Sequence, residues 1–171
     1  MKVLGVDPGV ADTGWAVLES RPDKEARLAD SGVIRTPAAL PLPLRLREIH
    51  AALSEVLRGH RPDQVAVEEM FFLKAAHTVR ATLQARGVIL LAAAQASAPV
   101  VEYNPRQVKI ALTGSGSAAK DQMQRMVQVT LRLEKILKPD DVADAAAIAL
   151  CHLRMSHYKR FVVLDRVGGR R

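Results

Sequence analysis

Four acids stand where chemistry could be done. Asp7 closes an apolar run in Val-Asp-Pro-Gly, Glu68 ends Val-Ala-Val-Glu-Glu, and Asp141 and Asp144 fall three apart in Asp-Asp-Val-Ala-Asp. Carboxylates are hard oxygen ligands for divalent cations, and such ions act on anionic substrates by polarising oxygen and ionising water. The chain carries 25 Lys+Arg against 18 Asp+Glu, a net charge of +7. A basic balance of this size favours nucleic acid over a neutral metabolite. Acids that could converge in a basic chain suggest a metal-dependent nuclease.

Each acid also has a plainer explanation. Pro8-Gly9 forces a turn after Asp7, so its carboxylate stands at the carboxyl end of a strand, where α/β sheets place ligands; an Asp that only caps the turn is the alternative. Glu68 follows Val65-Ala66-Val67, a run apolar enough to be central, and a carboxylate there is costly unless paired or bound to metal. Glu69 points to the opposite face by strand alternation. Asp141 and Asp144 open a helix whose face continues through Ala145, Ile148 and Cys151, so both can point inward together. Helix N-termini favour Asp without any function, which explains Asp140 best and Asp144 poorly, since Asp144 lies a turn in. If the four acids converge, two Mg²⁺ or Mn²⁺ ions would offset their repulsion. No Cys or His set has zinc spacing.

The elements that must position these acids are legible in the patterning. Lys2 to Val6 and Gly14 to Leu18 read as two strands joined by a tight connection, and Arg27 to Arg35 as a third strand completing a meander. Leu46, Ile49, Leu53, Val56 and Leu57 recur at helical spacing from Leu42 until Gly59. Gln64 to Val67 is a short buried strand, Lys74 to Ala96 an Ala-rich helix, and Pro99 to Tyr103 a further strand. Helices follow over Pro105 to Leu112, Ala118 to Leu133 and Asp141 to about His157. A meander followed by strands separated by helices predicts an α/β fold with a five-stranded mixed sheet, helices on both faces. The Ala81, Ala85, Val88, Ala92 stripe packs either on its own sheet or on a partner. Trp15 is expected in the core.

With 171 residues, 49% of them hydrophobic, the chain is the size of one domain, expected over residues 1–157, with a basic, loosely held tail over 158–171. Cys151 cannot form an internal disulfide, and Met1 is not followed by a basic start with an apolar run; a cytoplasmic location is expected. The longest apolar stretch, Val88 to Ala96, is too short to span a bilayer.

From Met1 to about His157 the sequence resembles the RuvC family of Holliday junction resolvases, within the ribonuclease H-like fold. The motifs are Gly-Val-Asp-Pro-Gly, Val-Ala-Val-Glu-Glu-Met-Phe-Phe, Arg-Gln-Val-Lys with Gly-Ser-Gly-Ser-Ala-Ala-Lys, and Asp-Val-Ala-Asp-Ala-Ala-Ala-Ile-Ala-Leu. The resemblance implies that Asp7, Glu68, Asp141 and Asp144 are metal-binding catalytic acids; some members carry His at the position of Asp141. It implies that Lys109 and Lys120 lie near the scissile phosphate, and that Phe71 stacks on an unpaired base at the junction centre, with Phe72 beside it. Core packing is the usual role of Phe and suits one of the two. Lys74, Arg80, Arg86, Arg106 and Arg125 are candidate phosphate contacts; His77 receives no role. The resemblance further implies a homodimer that cuts four-way junction DNA symmetrically to leave ligatable 5′ phosphates, working with a RuvA–RuvB branch-migration complex.

Three other readings compete. Asp7-Pro-Gly-Val-Ala-Asp-Thr-Gly also resembles the phosphate loop of actin-like and sugar-kinase ATPases, but those need two such domains, and no Gly-Lys-Ser/Thr loop is present. A non-catalytic junction binder would carry its acids for structure alone. A related nuclease of the same fold would act on another DNA.

Overall fold

The computed structural model describes residues 1–20, 25–69 and 77–168, with side chains left aside for 77–79 and 157–168. Phe71, Phe72 and Lys74 lie outside the described residues.

β1 (Lys2–Asp7), β2 (Asp12–Ser20) and β3 (Ala26–Arg35) form the expected antiparallel meander. α1 (Leu42–His60) then crosses over to β4 (Gln64–Glu68), which pairs parallel to β1. α2 (His77–Gln95) returns the chain to β5 (Val100–Tyr103), parallel to β4. The sheet order is β3-β2-β1-β4-β5, so β1 and β4 lie inside it and their carboxyl ends share one edge. α3 (Pro105–Thr113), α4 (Lys120–Thr130) and α5 (Asp140–Gly168) complete the chain.

Two apolar layers hold the sheet. On one face Leu4, Val6 and Val17 pack with Val65 and Val67 against Ile49, Leu53 and Leu57 of α1 and Ala85, Ile89 and Ala92 of α2. On the other, Val3, Ala16, Leu18 and Ala66 pack against α3, α4 and the Ala145–Leu150 stretch of α5. Successive side chains along a strand alternate between the two faces. Asp7 therefore continues the face of Val3, and Glu68 that of Ala66, so both carboxylates look towards α5.

The helix ends follow from local chemistry. Ile49, Leu53 and Leu57 recur every four residues as one buried stripe. Arg61 closes α1 in the left-handed region at φ 46°, its N–H donating to the Leu57 carbonyl at 2.9 Å. Asn104 caps α3, accepting from the Arg106 N–H at 2.8 Å, while the Asn104 N–H donates to Gln107 Oε1 at 3.0 Å.

Two expected helix ends are corrected by the structure. α4 stops at Thr130 instead of reaching Leu133, because Arg132 turns left-handed at φ 54°. α5 does not end near His157; its backbone runs on to Gly168. Within α2, Ala85 and Ala92 are fully buried against their own sheet, with Ala81 and Val88 partly buried beside them. Ala85 and Ala92 are thus core positions, whereas Ala81 and Val88 stay half-buried and Leu91 of the same helix is 51% exposed. Trp15 packs at the margin of the same layer, its ring 6.0 Å from that of His60. Among the described residues, no helix is long and apolar enough to cross a membrane.

Candidate active site

α5 lies unusually close to the strands it crosses. A Cβ built on Gly5 would fall 2.1 Å from the Ala145 carbonyl oxygen, and one on Gly14 2.0 Å from that of Asp141. Only glycine admits this approach, and it sets the first turns of α5 directly over the end of β1.

The result is a cleft of about 250 Å³ lined by Asp7 from β1, Glu68 from β4, Asp144 from α5, Lys109 from α3 and Lys120 from α4. Pro105, Val108, Met123, Ala147 and Ile148 supply its apolar wall. Of this wall the sequence patterning marked only Ile148, on the face that Asp141 and Asp144 open; Pro105, Val108, Met123 and Ala147 read as ordinary helix positions. Glu69 does not line the cleft; its backbone N–H extends the ladder to the Tyr103 carbonyl at 2.8 Å.

Asp141 stands beside the cleft and not in its lining, yet its charge acts on Asp7. Burial pushes the Asp7 carboxyl up to about 7, and the neighbouring Glu68, Asp144 and Asp141 push it the same way against the pull of Lys120. Glu68 is also raised, by burial and by Asp144, with Lys109 opposing. Burial raises Asp144 despite the Lys120 ammonium 3.3 Å away. These are groups held near one another with too little positive charge between them.

Lys120 pairs with Asp140 as well, at 3.4 Å. Partial burial works against its charge, but Asp144 and Asp140 together hold the ammonium above its ordinary value. Asp140 behaves as a helix-start acid should: Lys138 at 2.7 Å, helped by Gln124, draws its carboxyl down to about 2. Asp140 thus anchors Lys120 from outside the cleft, a link no spacing rule in the sequence reveals.

Arg80 on α2, Arg106 on α3 and Arg125 on α4 are all exposed. Arg106 lies one helical turn before Lys109 on the same face, its side chain against Gly116. Arg86 is not available to a phosphate: its guanidinium pairs with Glu102 of β5 and is largely covered.

Among the described residues, no three His, Cys, Asp or Glu side chains are drawn together into a formed metal-holding group. The donor set nevertheless suits a hard divalent cation in its chemistry. It is all carboxylate, and the upward pressure on Asp7, Glu68 and Asp144 is what a cation would relieve.

A five-stranded mixed sheet of this order, with acids gathered at the carboxyl ends of its two inner parallel strands, places the protein in the ribonuclease H-like class. Within that class the chain belongs to the RuvC family: the family model for crossover junction endodeoxyribonuclease RuvC matches residues 3–152. The crossover junction endodeoxyribonuclease RuvC of Syntrophomonas wolfei is 47% identical over 162 residues, covering 95% of this chain and 94% of that protein. Thermus thermophilus RuvC superposes with a TM-score of 0.85 at 40% identity, over 93% of this chain and 97% of its own. The same bacterium's RuvC in complex with Holliday junction substrate gives 0.84 at 37% identity, over 92% and 96%.

Proposed function

We propose that this protein resolves Holliday junctions by hydrolysing one phosphodiester in each of two opposing strands, with divalent cations held by Asp7, Glu68, Asp141 and Asp144. As a member of the RuvC family it is a crossover junction endodeoxyribonuclease, of a family whose nucleases depend on divalent metal. The observation that carries the finer reading is the cleft itself: Asp7, Glu68 and Asp144 share it with Lys109 and Lys120.

Two Mg²⁺ or Mn²⁺ ions bound there would supply an ionised attacking water and charge stabilisation at the leaving 3′ oxygen. The chain's own residues do the rest. The four carboxylates hold oxygen ligands on rigid strand ends and one helix. Lys109 and Lys120 stand close enough to the acids to meet the scissile phosphate and offset charge developing on it. Hydrolysis on the 3′ side of the bond leaves a 5′ phosphate and a 3′ hydroxyl, the pair a ligase joins. Arg80, Arg106 and Arg125 offer phosphate contacts that position the duplex arms without reading sequence. Phe71, with Phe72 beside it, is proposed for the junction centre, and Lys74 for a phosphate contact.

Symmetric cutting of two strands needs two sites related by a twofold axis, hence a homodimer. A RuvA–RuvB branch-migration complex is the proposed partner, and the cytoplasm the proposed location. The test is cleavage of a synthetic mobile four-way junction against linear duplex of the same sequence, with and without Mg²⁺ or Mn²⁺. Paired, metal-dependent nicks in opposite arms are expected. Equal cutting of linear duplex would overturn the substrate assignment, and binding with no cut under either metal would overturn the nuclease.

A further inference from the structure

We propose that Thr36 and Arg45 are positioning residues for the Asp7 carboxylate, clamping the turn after it from the opposite face of the sheet. The inference rests on Asp7 being a metal-binding acid of the cleft.

The turn from Asp7 to Asp12 is short, and three successive carbonyls in it are held from outside. Thr13 Oγ1 donates to the Gly9 carbonyl at 2.5 Å. Thr36 Oγ1 donates to the Val10 carbonyl at 2.5 Å, and the Thr36 N–H donates to the Ala11 carbonyl at 3.0 Å. Arg45, on α1, then grips Thr36 twice: Nε donates to Oγ1 at 2.8 Å and Nη2 to the backbone oxygen at 3.3 Å. The Thr36 hydroxyl therefore gives its proton to Val10 and receives one from Arg45, so its rotor has a single setting. Thr13 and Thr36 are 0% and 5% exposed, two of the four buried polar side chains among the described residues. Burying a hydroxyl is unfavourable without partners. Here two of them converge on one turn.

The clamp is also remote from the cleft. Val10 and Ile34, the residues around it, belong to the apolar layer under α1 and α2, while the cleft opens towards α5. Neither Thr36 nor Arg45 lines the cleft. Both act through the backbone of Val10 and Ala11, which is joined to Asp7 through Pro8 and Gly9. An acid that must share cations with Glu68 on the adjacent strand tolerates little displacement, since a misplacement of 1 Å can cost on the order of 10²-fold in rate.

The experiment compares wild type with Thr36→Val, Thr36→Ser, Arg45→Ala and Asp7→Asn in the full chain. Three quantities are read: Mn²⁺ affinity without DNA by electron paramagnetic resonance of free Mn²⁺, junction affinity in Ca²⁺, and single-turnover cleavage over a Mn²⁺ series. Thr36→Val and Arg45→Ala are expected to bind Mn²⁺ several-fold more weakly and to cut roughly 10-fold more slowly or worse, with junction affinity within about twofold of wild type. Thr36→Ser keeps the hydroxyl and should restore both. Circular dichroism shows which variants fold, and if Thr36→Val does not, Arg45→Ala decides. Wild-type Mn²⁺ affinity in Arg45→Ala would overturn the clamp. So would a loss confined to junction affinity with a shallower salt dependence, which would make Arg45 a phosphate contact. If Asp7→Asn itself cuts normally, the reading of Asp7 fails irrespective of the clamp.

Discussion

Gly14 makes room for Asp141. It sits opposite Asp7 in the antiparallel register of β1 and β2, and a Cβ there would lie 2.0 Å from the Asp141 carbonyl oxygen and 2.9 Å from its Cβ. A missing side chain on one strand thus sets how near the start of α5 comes to the acid on the next. The contact is to backbone, which cannot rotate away as a flexible side chain could.

Gly14→Ala is therefore expected to lift the first turn of α5 off the sheet. The overpacking should destabilise the fold by about 1–3 kcal/mol, read as a lower urea midpoint at an unchanged slope. Cleavage should fall as well at temperatures where the variant is fully folded, because Asp141 and Asp144 move with the helix. Wild-type stability and rate together would show that α5 can shift without consequence.

The four acids should separate cutting from binding. Asp7→Asn, Glu68→Gln, Asp141→Asn and Asp144→Asn each remove one carboxylate charge from the proposed metal-holding set, and the loss of a ligand should cost several kcal/mol of transition-state stabilisation, at least about 10²-fold in rate. Each also removes negative charge from a surface that must meet phosphates, so junction affinity measured by gel shift in Ca²⁺ should hold or rise. An acid whose neutral form cuts at the wild-type rate is not a ligand.

Much of this arrangement is legible in the sequence, for definable reasons. Asp7 and Glu68 each follow an apolar run, so strand period and strand end are fixed together, and alternation puts both on the α5 face. The coming together of α3, α4 and α5 over that face is a long-range matter that no local period encodes. Hence Lys120 bridging Asp140 and Asp144 emerges only in three dimensions, as does Arg86 turning to Glu102. The Ala81 to Ala92 stripe shows the same limit from the other side. Small residues at helical spacing signal close packing but not the neighbour, and for Ala85 and Ala92 the neighbour is the chain's own sheet.

The raised Asp7 carboxyl makes metal-free stability fall with pH. Unfolded, the group releases its proton near 3.8; folded, it keeps it until about 7. Between those values the native state binds more protons than the unfolded state, so the unfolding free energy decreases as pH rises through the window. Glu68 and Asp144, also raised, act in the same direction. In chelator, wild type should lose up to a few kcal/mol relative to Asp7→Asn between about pH 4 and 7. Added Mn²⁺, binding the ionised form, should recover stability in wild type and less in the variant. Parallel pH profiles for the two proteins in urea unfolding would contradict the shift.

Binding of the junction should be dominated by phosphates, so the logarithm of affinity should fall linearly against the logarithm of salt concentration. Arg106 is the informative site, because it is exposed and one turn from Lys109 on the same helix, without lining the cleft. If it holds a phosphate, Arg106→Ala should reduce the salt slope by about 1 and weaken all junction sequences alike. The cutting rate of the bound complex should change little, since a positioning contact outside the cleft stabilises ground state and transition state equally. A slope equal to wild type would return Arg106 to a packing role against Gly116. A sequence-dependent loss would instead mean that it reaches base edges, where discrimination is about 1–3 kcal/mol per contact.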